Sequence, residues 1–253
     1  MDYEKLVNLA TDLGCRLMAS GAEIYRVEDS VSRVLTAYGV ESPEIFALPS
    51  CLIVSINTPD GRPVTRMRRI GPHGTDIEEL DIYNAICREL CADRPEVGEA
   101  LEMLTLIPAK HRSFKPGMIL CGYAAATTFF TLLFGGGLLD AVSSMICGAA
   151  VGLCLMFGSK WRGRNSFFRT VVCSAVAAFL ALLLSRFGLG RDVDTVTIGV
   201  LMLLVPGVAL TNAMREILAG DIYSGLSRTA EAILTAGAIA LGVAAGIALD
   251  MTF

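Results

Sequence analysis

Between Leu203 and Glu231 an apolar run breaks at Pro206-Gly207. It then carries Thr211, Asn212, Arg215, Glu216, Asp221, Ser224, Arg228 and Glu231 before a further apolar run begins. Proline inside a helix removes an amide donor and frees a carbonyl, and glycine beside it opens the backbone, so the pattern predicts an unwound segment. Charged and hydroxylic groups next to such a break are costly in hydrocarbon, and they face a protein interior or a water-filled cavity. The chemistry these types offer is the holding of a small polar solute by Pro206, Gly207, Thr211, Asn212, Arg215, Asp221, Ser224 and Arg228. The planar fork of Arg215 matches a carboxylate bidentately, while Thr211 and Asn212 suit an amino or hydroxyl group. Glu216 and Glu231 are the candidates for taking up and releasing a proton; Glu231 stands three residues after Arg228, on the same helix face. The same charges also fit an inner loop clasped by ordinary salt bridges, and the residues by themselves leave both readings open.

The elements around this stretch follow from composition. Of 253 residues 53% are hydrophobic, and the mean hydropathy is +0.58, too apolar for an ordinary soluble domain and long enough for two parts. Residues 1–115 hold 13 Lys/Arg and 18 Asp/Glu, leaving 8 and 7 for the remaining 138. The expectation is a mildly acidic cytoplasmic domain over residues 1–115 and a membrane domain over 116–253. Acidity, without a basic stripe carrying interleaved aromatics, argues against nucleic acid as a partner. The start, MDYEKLVNLATDLG, has neither a basic nor an apolar leader region, so no cleaved signal is expected.

In the first part Leu6, Leu9, Leu13 and Leu17 recur at helical spacing through residues 3–19. Ser20-Gly21-Ala22-Glu23 has the pattern of a capping box for a second helix carrying Ile24, Val27, Val31, Val34 and Leu35 and ending near Gly39. Period-two, β-branched segments at Glu44–Leu48, Leu52–Asn57 and Val64–Ile70, with Thr58-Pro59-Asp60-Gly61 between the last two, predict a small antiparallel sheet. Helical period returns from Ile77 to Leu90 and again from about Pro95 to Leu106, giving an α/β domain with helices on one face. Glu23, Arg26, Glu28 and Asp29 crowd one helix start and Arg66, Arg68 and Arg69 one strand, so the two sets are placed to pair.

Five apolar stretches follow, at about 116–134, 138–158, 167–187, 193–213 and 229–249, each near the roughly 20 residues that cross a bilayer. The fold class expected is thus an α-helical integral membrane domain of about five transmembrane helices after a small α/β domain. Lys110, Arg112, Lys115 and the basic loop Ser159–Asn165 put the N-terminal part on the cytoplasmic side of the plasma (inner) membrane by the positive-inside rule. Gly148-xxx-Gly152 and Gly242-xxx-Gly246 are small-residue pairs for close packing, within the chain or against another subunit. Asp140 reads as a cap at the end of the second stretch. No nucleophile with a usable base, phosphate-cradling loop or metal set stands out, so neither an enzyme nor a cofactor is expected. Cys87 and Cys91 share a helix face, but His73 and His111 are the chain's two histidines. The eight cysteines are scattered and suit reduced thiols.

The runs PGVALTNAMREILAGDIYSGLSRTAE, from Pro206 to Glu231, and SGAEIYRVEDSVSRV, from Ser20 to Val34, resemble the threonine/serine exporter (ThrE-like) family. The resemblance runs through the chain in order. It implies a secondary transporter, driven by the proton gradient, that expels threonine and serine. The fused type continues into a second membrane half, whereas a chain ending at Phe253 resembles the large subunit of the split, YjjP-like type. That type implies a separate small membrane subunit as partner and dicarboxylates such as succinate as the solute. Other classes left open are a passive channel gated by the cytoplasmic domain and a membrane-anchored sensor or assembly factor.

Overall fold

The computed structural model describes residues 2–71, 74–110, 114–158 and 166–252, with side chains outside 107–110 and 158. His73, His111, Arg112 and the basic loop 159–165 lie outside the described residues. The chain divides into two compact units, Met1–Arg112 with Leu210–Thr229, and Ser113–Ala209 with Ala230–Phe253.

In the first unit, α1 (Tyr3–Ala19) begins where Asp2 accepts the Lys5 amide at 3.1 Å, satisfying an orphan donor of the first turn. Its leucines at 6, 9, 13 and 17 are buried along one face. Helix α2 (Ile24–Ala37) packs on it so closely at Gly14 that a Cβ there would stand 2.9 Å from a Val31 methyl and 2.5 Å from Leu52. The strands β1 (Glu44–Leu48), β2 (Cys51–Asn57) and β3 (Pro63–Arg69) form an antiparallel sheet in that order, with Leu52 opposite Ala47 and Arg68. Alternation puts Leu52, Val54 and Ile56 into the core with the α1 and α2 leucines and valines. Two helices, α3 (Ile77–Asp93) and α4 (Val97–Lys110), close the same core through Tyr83, Ile86, Leu90 and Leu104.

Two local expectations fail here. Ser20-Gly21-Ala22-Glu23 is not a capping box. Instead it closes α1: the Gly21 amide reaches Met18 O at 3.1 Å and the Ala22 amide Leu17 O at 3.0 Å, with Gly21 at φ +95°. That paired pattern is the Schellman ending, and it needs a residue free to enter the left-handed region. Ser20 accordingly turns back to Arg16 O and to Glu79, and the Glu23 side chain makes no cap on α2. Among the described residues the acidic helix start and the basic strand do not pair either. Arg68 joins Asp12 of α1, Asp29 joins Arg33 one turn on, and Glu28 accepts the Ala47 amide at 2.8 Å.

In the second unit α5 (Pro116–Leu133) and α6 (Leu138–Gly158) form a hairpin around Gly135, at φ +91°. They are followed by α7 (Ser166–Arg186), a short α8 (Val193–Leu201), α9 (Gly207–Ala219) and α10 (Ile222–Asp250), of which α9 and α10 also supply Leu210–Thr229 to the first unit. Among the described residues four helices are long and apolar enough to cross a membrane: Pro116–Leu133, Leu138–Phe157, Ser166–Arg186 and Ile222–Asp250. The fourth apolar stretch, expected to run through 193–213, is two short helices joined by turns over 202–206. The last helix begins seven residues before the expected 229, because Asp221 O already accepts the Gly225 amide at 3.0 Å.

The small-residue pairs are used within the chain. A Cβ on Gly148 would overlap Thr127 and one on Gly152 would meet Tyr123, both on α5; one on Gly246 would stand 2.6 Å from Ala175 O on α7. Asp140 accepts the Gly137 amide at 2.8 Å at its own helix start, and the Arg191 and Asp192 amides at 2.6 and 3.1 Å, so one buried carboxylate ties two turns together. Arg186 and Asp250, 2.8 Å apart, join α7 to α10.

Candidate functional site

The break expected at Pro206-Gly207 is present. Helix α8 ends at Leu201, tight turns follow with Leu203 and Leu204 amides on the Val200 and Leu201 carbonyls, and helix resumes at Gly207. Pro206 suits the position before a new first turn, where the missing amide costs nothing. Thr211 is exposed and Asn212 half-buried on α9, with Arg215 and Glu216 one turn further along.

Helix α9 ends as α1 does, with the Gly220 amide on Ile217 O, the Asp221 amide on Glu216 O, and Gly220 at φ +101°. The chain then returns as α10. Contact between the two helices is close because residue 225 is glycine: a Cβ there would stand 2.8 Å from Ala213 O. This hairpin aligns Glu216 with Arg228, whose Nε is 3.0 Å from Glu216 Oε1. Ser224 is buried on α10 one turn before Arg228, and Asp221 is half-buried at the turn.

The partners of these charges come from the other end of the sequence. Arg215 Nη1 donates to Glu23 Oε1 at 2.7 Å, and Glu23 Oε2 holds Arg26 Nε at 2.5 Å. Arg228 Nη2 donates to the Ala22 carbonyl at 3.2 Å, and the Ile24 amide donates to Glu216 Oε1 at 3.3 Å. A carboxylate 192 residues away in sequence thus caps the first turn of α2, the position its own Glu23 leaves uncapped. The two sequence runs that resemble the exporter family meet in the first unit, through charged side chains on both sides.

Burial makes this cluster unlike a surface salt bridge. Glu216 is wholly buried, and the Glu23 and Arg228 side chains are each 8% exposed, whereas Arg215 is 56% exposed. The approach of Arg228 Nε to Glu216 is a charge contact without hydrogen-bond alignment. Among the described residues Glu216 Oε2 has no hydrogen-bond partner. Loss of water holds the Glu216 carboxyl above the ordinary glutamate range; the Arg228 charge and the Ile24 amide pull it back, and Asp221 and Glu23 push it up. Glu28 is raised in the same sense, chiefly by burial.

Of the residues expected to form the site, Arg215, Glu216 and Arg228 are joined in one network, and Asp221 adds its charge. Glu231 is exposed and belongs to the second unit, as do Pro206 and Gly207. Glu23 was not among the expected residues, and the Ala22 carbonyl and Ile24 amide have no side-chain signature. The signal for them lay in the family-like run from Ser20, which carried no chemistry by itself.

The family model described as "Putative threonine/serine exporter" matches residues 8–250. The chain belongs to this family. Membership in the threonine/serine exporter family, with several long apolar helices, makes it a multi-pass membrane protein of a transporter family rather than of an enzyme family. It is 26% identical over 97% of its length to a "Threonine/serine exporter" of Corynebacterium glutamicum, covering 51% of that protein. It is 24% identical over 96% of its length to the "Probable succinate transporter subunit YjjP" of Klebsiella aerogenes, covering 93% of it. A "Pheromone-regulated membrane protein 10" of Saccharomyces cerevisiae is 27% identical over 93% of the chain, which covers 31% of that protein. The chain therefore spans about half the length of the Corynebacterium exporter and under a third of the yeast relative. No solved structure matches.

Proposed function

We propose that this chain is one subunit of a proton-coupled secondary exporter of small carboxylate-bearing metabolites, either threonine and serine or dicarboxylates such as succinate. A separate small membrane protein completes it. In this reading residues 1–115 form a cytoplasmic domain, residues 116–253 cross the plasma membrane five times, and the broken fourth crossing admits the solute, as discontinuous helices do in other transporters. The observation that carries the proposal is Glu216: wholly buried, with one oxygen unpartnered among the described residues, its proton affinity raised, and in contact with both family-like runs at once.

A carboxyl so placed takes up a proton at a higher pH than an exposed one, and its charge state bears directly on Arg228 and on the first turn of α2. Protonation removes the attraction that holds Arg228 and weakens the cap on Ile24. That is a route by which a proton changes what the Arg215 neighbourhood presents to a solute. Exposed Glu231 has no comparable contact among the described residues, which favours Glu216 as the coupling group. The relatives' names support both solute classes, and either supplies the carboxylate that Arg215 suits.

The test is efflux of threonine, serine and succinate in parallel from proteoliposomes containing the chain, alone and with its small membrane partner, with and without a pH gradient. Gradient-dependent efflux of one solute is expected. Equal leakage of all three without a gradient would overturn the proposal and make the broken helix the lining of a passive pore.

A further inference from the structure

We infer that Glu23 is a built-in competitor at the solute site: its carboxylate occupies the Arg215 guanidinium, and a carboxylate-bearing solute binds there by taking its place. The inference rests on the exporter reading above and adds a residue that sets the solute affinity.

Accessibility separates the two arginines. Arg228 is buried, spends Nη2 on the Ala22 carbonyl, and stands against Glu216, so no solute reaches it without prior disruption of the core. Arg215 is half exposed, and among the described residues only its Nη1 is engaged, on Glu23 Oε1. A solute carboxylate approaching that fork can make two parallel bonds where Glu23 makes one, and so it has a geometric advantage over the resident group.

Displacement is cheap on the Glu23 side as well. Leaving a buried carboxylate without a partner is strongly destabilising. Glu23 escapes that penalty because its other oxygen stays on Arg26, at 2.5 Å. Nor does its departure uncap α2, since the Glu23 side chain makes no cap there and the Ile24 amide is satisfied by Glu216. Both arginines on Glu23 are reachable from solvent, and a carboxylate shared between them can give up Arg215 while Arg26 keeps its charge paired.

Two substitutions move the affinity in opposite directions, which a merely structural ion pair would not do. Glu23→Gln removes the competitor's charge, and the half-saturation for threonine or succinate is expected to fall by about threefold to tenfold, the worth of a partly exposed charged hydrogen bond. Arg26→Gln, at a side chain 63% exposed and therefore tolerant of change, leaves Glu23 wholly to Arg215, and the half-saturation is expected to rise by a similar factor. Arg215→Gln abolishes saturable binding in either background. The measurement is equilibrium binding of radiolabelled threonine and succinate to the purified full-length chain, followed by efflux from proteoliposomes. The competition is overturned if Glu23→Gln weakens binding as Arg215→Gln does, or if Glu23→Gln and Arg26→Gln leave it unchanged. Binding that shifts as expected, without gradient-driven efflux from the wild type, upholds the competition and overturns the exporter reading; absence of binding of either probe to the wild type overturns both.

Discussion

Replacing Arg228 by methionine isolates the electrostatic centre of the site. The side chain is 8% exposed and contributes one charge opposite a Glu216 that is wholly buried. Methionine keeps much of the volume and removes the charge, leaving Glu216 with the Ile24 amide as its hydrogen-bond donor among the described residues. Removal of one partner of a buried ion pair costs about 3–5 kcal/mol, because the remaining charge is uncompensated. For a unit of this size that corresponds to a fall in melting temperature on the order of 10 °C. The double substitution Arg228→Met with Glu216→Gln removes the orphaned charge and should recover most of the loss.

The pH dependence has a definite sign. Burial already raises the proton affinity of Glu216, and loss of Arg228 raises it further, so the folded state binds more protons than the unfolded one. Stability is then greatest below the ordinary glutamate value, about 4.3, and falls as pH rises from there through the raised folded value. The Arg228→Met defect should accordingly be smallest below the ordinary glutamate value and grow as pH rises above it. Thermal unfolding of the detergent-solubilised chain, followed by intrinsic fluorescence across pH, measures both. A penalty under about 1 kcal/mol that does not change with pH would refute the reasoning, since it would place the pair in water rather than in the protein interior.

Glu216→Gln should abolish the dependence of efflux on a pH gradient while Glu231→Gln leaves it intact, as read from parallel efflux curves; the reverse result would move proton coupling to α10. Gly21→Ala should destabilise the first unit by about 1–2 kcal/mol in chemical unfolding, because φ +95° disfavours any side chain and the added Cβ would stand 2.9 Å from Gly74 O. Gly246→Val should lower the melting temperature of the detergent-solubilised chain, since its Cβ would meet Ala175 O at 2.6 Å and the Ala178 methyl at 3.0 Å. Asp140→Ala should cost about 1–2 kcal/mol on the same measurement, for it strips the cap from Gly137 and the acceptor from Arg191 and Asp192 together.

Periodicity made the secondary structure legible wherever one physical demand governed a segment. The α1 leucines and the alternating apolar residues of β2 each report a single buried face, and the helices and sheet fall where those patterns place them. Reading failed where two demands compete for the same residues. Ser20-Gly21-Ala22-Glu23 satisfies the spacing of a helix start, but a glycine that can enter the left-handed region is worth more as the end of the preceding helix, and the carboxylate is then released for other work. The fourth apolar stretch showed where it would break. Composition did not show that the break would consume five residues, leaving two helices each too short to span hydrocarbon.

The site illustrates the same limit at longer range. Arg215, Glu216 and Arg228 announce themselves as charges beside apolar runs, and their hairpin geometry follows from Gly220 and Gly225. Their partners do not, because Glu23 lies in an amphipathic segment where an exposed carboxylate would be unremarked. What makes Glu23 part of the site is the capping of α2 by Glu216, which draws Ala22, Glu23 and Ile24 up to the hairpin as one turn of chain. A buried carboxylate would ordinarily be a poor helix cap, since an exposed serine or aspartate does the same with no desolvation. Its use here ties the start of α2 to the ionisation of a single group. Burial sets this cap apart from an exposed one, because loss of water raises the proton affinity of Glu216.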